Sequence, residues 1–239
     1  MRQSKLIKII FIVVILFASI QFSYAQKTEI NFNAYSGLFS FRGNGSVLHS
    51  GISYPFTSTT IYTTDPFGRR SGFSYVLEFQ AQRLSKTNNI YGFGISFEQL
   101  TSKVNINKII TSQDPAYFEY PASGKTTLRN TFITLNPFVG HRYSYHKATF
   151  DVLAGCDLAF CLKSKEAGKA SINNKDFVKA ENDKAKPFID FRPRVQIKMK
   201  INKVGFLAGY SFGLTNYQAE NNLKAWTRFL RLGLSYQLK

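Results

Sequence analysis

Cysteine is scarce in this chain of 239 residues, and the two present, Cys156 and Cys161, cannot staple it locally. Five positions apart on an extended strand, they point to opposite faces about 16 Å from each other, too far for a bridge within that strand. A disulfide scaffold is not expected, and a lone pair of thiols without His or carboxylate partners at ligand spacing gives no metal site. After the first 25 residues no apolar run approaches the roughly 18 residues of a spanning helix, so any passage across a membrane has to use strands. Acidic residues are few as well, 14 against 31 Lys and Arg, for a formal charge of +17.

What is present at the start has the three parts of a secretory signal: basic Arg2, Lys5 and Lys8, an apolar run from Ile9 to Ile20, and the small-residue end Ser23-Tyr24-Ala25. Residues 1–25 are therefore expected to be a signal peptide, and 26–239 one mature domain without an internal linker. No Cys follows the apolar run, so an acyl anchor is not expected. Removing the three signal cations leaves 17 − 3 = +14 on the mature chain. A basic balance can mean nucleic acid, but export and the lack of any recognition motif argue against that partner.

Aromatic residues make up 15% of the chain, with 23 Phe and 13 Tyr, which favours strands. Strict alternation is clearest from Ile189 to Ile201. Ile189, Phe191, Pro193, Val195, Ile197, Met199 and Ile201 form an apolar set, while Asp190, Arg192, Arg194, Gln196, Lys198 and Lys200 interleave. From Thr149 to Cys161 the pattern recurs, with Phe150, Val152, Ala154, Cys156, Leu158 and Phe160 on one face and Asp151 and Asp157 on the other. Six more candidates run Glu29 to Phe39, Gly72 to Leu84, Ile90 to Val104, Asn130 to Arg142, Val204 to Asn216 and Trp226 to Leu238, giving eight strands.

The segments between them also alternate. Long loops are expected near 42–71, 105–129 and 162–187, tight turns at 85–89, 143–147 and 202–203, and a medium connection near 217–225. Long loops at one end and tight turns at the other, with strands of about 11 to 13 residues, predict an all-β fold: an eight-stranded antiparallel transmembrane up-and-down β-barrel. Its turns and both termini face the periplasm. Tyr91, Tyr143, Tyr210, Trp226 and Tyr236 are candidates for headgroup-level aromatics.

In its signal, its eight strands and segments such as Leu135-Asn136-Pro137-Phe138-Val139-Gly140, the chain resembles outer-membrane β-barrel proteins of the PorT-like kind. The resemblance spans the mature chain and is one of pattern. It implies the outer membrane as location, outer-membrane lipid and barrel insertion machinery as partners, and a structural or surface-interaction role, with a secretion accessory that meets envelope protein partners as its leading specific form. It carries over no catalytic residue. Barrels of this type usually finish on an aromatic, whereas Lys239 is last here, after the alternating Leu230, Leu232, Leu234, Tyr236 and Leu238.

With apolar faces toward lipid, the polar faces gather Glu29, Glu78, Glu98, Asp151, Asp157 and Asp190 inside with Arg192, Arg194, Lys198, Lys200 and Arg231. Eight strands enclose a space only wide enough for side chains, so these nearly balanced charges, beside Gly92, Gly94, Gly205, Gly209 and Gly213, are expected to fill it and leave no open pore. Asp151 with Arg192 or Arg194 is a candidate gating or relay pair; structural pairing is the simpler account. No cofactor is expected.

Cations outside the strands include Arg69, Arg70 and the third loop's Lys163, Lys165, Lys169, Lys175, Lys179, Lys184 and Lys186, interspersed with Glu166, Asp176, Glu181 and Asp183. They either meet lipopolysaccharide phosphates or acidic glycans, or solvate mobile loops. Two alternatives stay open at this point. A soluble lipocalin-like barrel would turn the apolar faces inward around a ligand. A lipid A-modifying enzyme would use one of His49, His141 and His146, with His49-Ser50 on the plausible outer side.

Overall fold

The computed structural model describes residues 25–55, 60–113, 116–172, 176–185, 187–219 and 222–239. The expected signal peptide thus lies outside the described residues apart from Ala25, as do Lys175 and Lys186. The elements are β1 (Ala25–Arg42), β2 (His49–Pro55), β3 (Tyr62–Thr63), β4 (Arg70–Ser85), β5 (Asn89–Gln113), β6 (Ala116–Tyr145), β7 (Ala148–Ile172), β8 (Asp176–Asp183), β9 (Ile189–Ile201), β10 (Val204–Phe212) and β11 (Trp226–Gln237). Eight of them close a ring in the order β1-β4-β5-β6-β7-β9-β10-β11, and antiparallel pairing of β11 with β1 completes it. The fold is an eight-stranded antiparallel barrel.

Three tight turns tie one end. Each needs a residue in the left-handed region, supplied by Asn88 (φ 61°), His146 (φ 51°) and Asn202 (φ 54°), side-chain types that tolerate it. The lower part of β1 and the C-terminal residues meet at this same end, where Ile30 N–H donates to the Lys239 carbonyl at 3.0 Å.

At the other end the structure departs from the expected loops. Residues 105–129 are mostly the upper part of the β5–β6 hairpin, and 162–172 prolong β7, against which β8 folds back. From the first long segment, β2 lies parallel on the upper part of β5, and β3 pairs with β2. Period two fades in these stretches for physical reasons. Register irregularities at Ile106/Lys108 and Thr131/Phe132 disturb the alternation, and Gly124, Ala167, Gly168 and Ala170 stand where larger side chains would mark a face. The wall is therefore lopsided: β5, β6 and β7 have 25, 30 and 25 residues, against 13, 9 and 12 for β9, β10 and β11.

Outside, the barrel carries a continuous apolar belt that includes Phe79, Ile95, Val152, Val195, Ile197, Phe206, Leu230, Leu232 and Leu234, all exposed. Inside, the same strands present the buried polar side chains of Glu78, Ser96, Asp151, Gln196, Ser211 and Arg231. This polarity contradicts a lipocalin-like barrel, which needs the apolar set inward. Tyr91, Tyr143 and Tyr236 are exposed near the turn end, joined by Tyr145, and Trp226 begins β11 at the opposite rim. Tyr210 is a correction: opposite Val195 and Leu230, it lies well along β10 and belongs to neither rim.

Because Leu232 lies midway along β11 on the belt, Leu232→Arg is expected to cost about 2–4 kcal/mol in denaturant titrations of the barrel folded into lipid vesicles. An equal substitution that leaves the midpoint unmoved would show that this face does not meet hydrocarbon.

Candidate functional site

The barrel interior is the most densely charged region of the molecule. Glu29, Glu78, Glu98, Asp151, Asp157 and Asp190 all face inward and are fully buried, as are Arg192 and Arg231, while Arg194, Lys198 and Lys200 are nearly so. A member missed from the sequence is Arg142, also buried, which makes six cations for six carboxylates and brings the interior to formal neutrality. Its signal is present: Arg142, the last residue of the expected strand, shares parity with Asn130, Thr134 and Asn136, the inward set of β6.

Strand register decides who meets whom. On β7 and β9, Asp157 is opposite Arg192 and Asp151 opposite Lys198, six residues further along. The expected pairing of Asp151 with Arg192 or Arg194 is therefore not formed. Asp151 instead accepts from Arg142 of β6, Nε to Oδ1 at 2.6 Å, and Arg142 also reaches Glu29 at 2.8 Å. Lys200 donates to the other Glu29 oxygen at 3.2 Å, and Gln82 donates to it at 2.9 Å. This group closes the turn end.

Higher up, Asp157 is the hub of three arginines: Arg231 at 2.7 Å, Arg194 at 3.4 Å and Arg192 at 3.8 Å. Asn136 donates to its Oδ1, the oxygen that also faces Arg194, at 2.8 Å. Arg192 also pairs with Glu98, and Arg194 with Glu78 at 3.3 Å; Glu78 accepts from Asn33 at 2.9 Å and Tyr35 at 2.6 Å. Lys198 donates to Gln80 at 3.3 Å, and Asp190 accepts from Thr227 at 2.9 Å and Tyr217 at 3.1 Å. Space for these chains comes from inward glycines: a Cβ on Gly94 would lie 2.7 Å from Glu78 Oε1, and one on Gly209 3.3 Å from Arg231 Cγ.

Above the ions sits an aromatic plug. Phe41 makes edge contacts with Phe39, Phe67 and Tyr217 at centroid separations of 5.3, 5.1 and 5.1 Å, and Phe229 stacks beneath with the Arg231 guanidinium 4.7 Å from its centroid. Phe67 and Tyr217 come from the first and last outer connections, so those connections are anchored into the barrel mouth. Tyr217 lies beside Asp190, and burial, reinforced by that carboxylate, pushes its phenol well above the usual range. A second apolar cluster of Ile52, Val104, Ile106, Ile109, Ala170 and Ala180 fills the space within the outer extension.

The histidines do not assemble an acid–base site. Ser50 Oγ, beside His49, accepts from Asp65 N–H at 2.9 Å. His141 contacts Asn89 at 3.0 Å and the Tyr143 ring, and His146 lies in a turn against Tyr145. Cys156 faces the belt and Cys161 the interior, and neither forms a disulfide. Among the described residues no group of three or more His, Cys, Asp or Glu could hold a metal. Ions locked against ions, beneath a hydrophobic seal, make a structural filling.

Removing the hub carboxylate should expose this dependence. Asp157→Asn leaves three arginines short of a partner and is expected to cost about 3–5 kcal/mol of unfolding free energy in detergent micelles. Lys27→Gln removes a mostly exposed partner of Glu29 and should cost less than about 1 kcal/mol. Equal midpoints for the two variants would contradict the hub.

No family profile matches the chain, and no curated protein matches it in sequence. Among solved structures, it is similar to the attachment invasion locus protein Ail of Yersinia pestis, crystallised with the heparin analogue sucrose octasulfate, at 10% identity over 89% of this chain and 100% of that one, with a TM-score of 0.38. It is also similar to Neisserial surface protein A, at 8% identity over 88% and 99% of the two chains, with a TM-score of 0.40. These are distant likenesses, and the barrel is established by the closed ring of strand pairings itself.

Proposed function

We propose that this chain is an exported outer-membrane protein whose barrel is a sealed anchor for a surface-interaction platform. The observation that carries the reading is the division along the barrel axis: an apolar belt around an ion-filled, plugged interior, surmounted by an ordered extension of β2, β3, β5, β6, β7 and β8. A lipid-facing wall needs the belt, since hydrocarbon rejects polar side chains and unpaired backbone alike. The filled interior supports anchoring over conduction, and the absence of a catalytic grouping among the described residues leaves the extension as the working surface.

Within this class, a secretion-accessory role with envelope protein partners is the finer form of the proposal, supported by the PorT-like pattern of the sequence. In either form the signal segment directs export and is removed, insertion machinery assembles the barrel, and the tight turns face the periplasm.

Orientation is tested by labelling single cysteine variants in intact cells with a membrane-impermeant maleimide. Lys179→Cys on exposed β8 should label at once, and Lys203→Cys in the β9–β10 turn only after the outer membrane is permeabilised. The unsubstituted chain is the control, its thiols facing the belt and the interior. The reverse labelling order would overturn the proposal.

A further inference from the structure

The lipid-facing wall carries an arc of cations where the apolar belt ends. Arg42 of β1, Arg70 of β4, Lys103 of β5 and Arg129 of β6 lie on four neighbouring strands of the ring. Arg42, Arg70 and Arg129 are exposed, and Lys103 is half-buried. Parity sets their direction. Phe41, Val104 and Leu128, next to three of them in sequence, are buried, and Arg70 is directly opposite Lys103, so all four point away from the barrel axis.

Strand register places them at one height. Rungs followed once round the ring from Tyr236, through Phe191 on β9 and Leu214, whose N–H donates to the Phe191 carbonyl, return to β11 near Trp226, ten residues higher. Each step to the next strand therefore adds slightly more than one residue of height. With that climb included, Arg42, Arg70, Lys103 and Arg129 fall within about 4 Å of one another along the axis.

That height is a membrane border. On β5, twelve residues lead from Tyr91, exposed near the turn end, to Lys103. At about 3.3 Å per residue and a tilt of about 35–45°, the two are about 28–32 Å apart along the axis, slightly more than the roughly 25 Å of an outer-membrane apolar band. With the tyrosines at the lower border, the four cations clear the hydrocarbon and enter the opposite headgroup layer. Trp226, directly opposite Arg42, stands at the same level, where indoles favour the interface.

Carboxylates of these strands are placed elsewhere. β1, β4 and β5 have one each, Glu29, Glu78 and Glu98, and all three are buried in the interior; that of β6, Glu119, pairs with Lys108 further up the hairpin. Arg70 and Lys103 are like charges directly across a ladder, an arrangement that destabilises a bare sheet. The arc is also one-sided. On β7, Lys163 comes near this height with Asp183 3.9 Å away, and beyond it Phe188 and Leu214 are exposed on the short side of the wall.

We propose that Arg42, Arg70, Lys103 and Arg129 bind the phosphate groups of lipopolysaccharide in the outer leaflet, holding a shell of that lipid against the β1–β6 side of the barrel. The proposal rests on the outer-membrane reading and gives one side of its wall a lipid partner. Guanidinium groups suit the task, since their forked N–H donors match phosphate oxygens. A glycolipid with more than one phosphate on a single headgroup meets two members of the arc at once, which a phospholipid with one phosphate cannot do. Bound phosphate also relieves the repulsion between Arg70 and Lys103.

The test uses the full barrel purified in detergent, with purified lipopolysaccharide as probe. R42Q, R70Q, K103Q and R129Q together should weaken binding about tenfold or more, and raised salt should weaken the unsubstituted protein toward the same value. The pair R42Q and R129Q, which leaves Arg70 and Lys103 in place, should already lose about threefold or more, so the arc stays testable if the fourfold variant does not fold. R42K, R70K and R129K together keep the charges and should keep most of the affinity, and Lys203→Gln at the turn end should bind normally. Dephosphorylated lipopolysaccharide should bind the unsubstituted protein no better than the fourfold variant binds the intact lipid. Equal affinity of the glutamine variants for intact lipopolysaccharide overturns the arc, and so does phosphatidylglycerol binding as tightly as lipopolysaccharide, since any anionic lipid would then serve. If the phosphate-dependent loss occurs but maleimide labelling places Lys179→Cys in the periplasm, the outer-membrane orientation fails while the anion-binding arc stands.

Discussion

Closure of β1 on β11 is the constraint on which everything else depends. Twelve residue pairs join the two strands, from Asn31 opposite Gln237 to Arg42 opposite Trp226, and they remove the open edges that a sheet of eight strands would otherwise present. In hydrocarbon an unpaired backbone N–H or carbonyl costs several kcal/mol, so an open sheet has no stable place there. Once the ring is closed, side chains have only two destinations. Alternate residues go to the belt or to a narrow interior, and a shift of register by one residue would send Arg192 and Arg194 outward and Phe191 and Val195 inward.

The interior then becomes a problem of charge. Fully buried carboxylates and guanidinium groups are tolerable only when each has partners, because desolvation costs more than a single weak contact returns. Asp157 meets three arginines, each of which has a second acid in Glu78, Glu98 or Asp190. This mutual pairing spreads each charge over several partners. It also explains why the aromatic plug lies directly above: Phe132 and Phe229 present their ring faces to Arg192 and Arg231, so the change from ionic to apolar filling passes through cation–π contacts of 5.2 and 4.7 Å.

The eight ring strands were legible because one face of each is mostly apolar, wholly so in the run from Ile189 to Ile201, and because Asn88, Asn202 and short polar segments mark the turns. Membership of the interior followed from parity alone, which is why Glu29 and Arg231, on strands far apart in sequence, could both be placed there. Partner choice was not legible. It depends on cross-strand register, and nothing local in the sequence states that Asp151 faces Arg142 and Lys198 while Asp157 faces Arg192. The outer extension was hidden for a different reason. Above the belt the outer face of a strand meets water, and the inner face of β7 there is built of small residues packed on the cluster of Ile52, Val104 and Ile109, so segments such as Ala167 to Ala170 carry no apolar period even though they are paired on both sides.

The claim that organises this account is that the apolar belt faces lipid around a sealed, ion-paired interior, and membrane fractionation followed by gel electrophoresis of heated and unheated samples tests it most directly. The account predicts sedimentation with outer membranes and a distinct mobility for the unheated chain, since a closed barrel resists unfolding in the gel detergent until boiled. A chain recovered in the soluble periplasmic fraction, with one mobility regardless of heating, would contradict it and would leave the exposed belt without an environment.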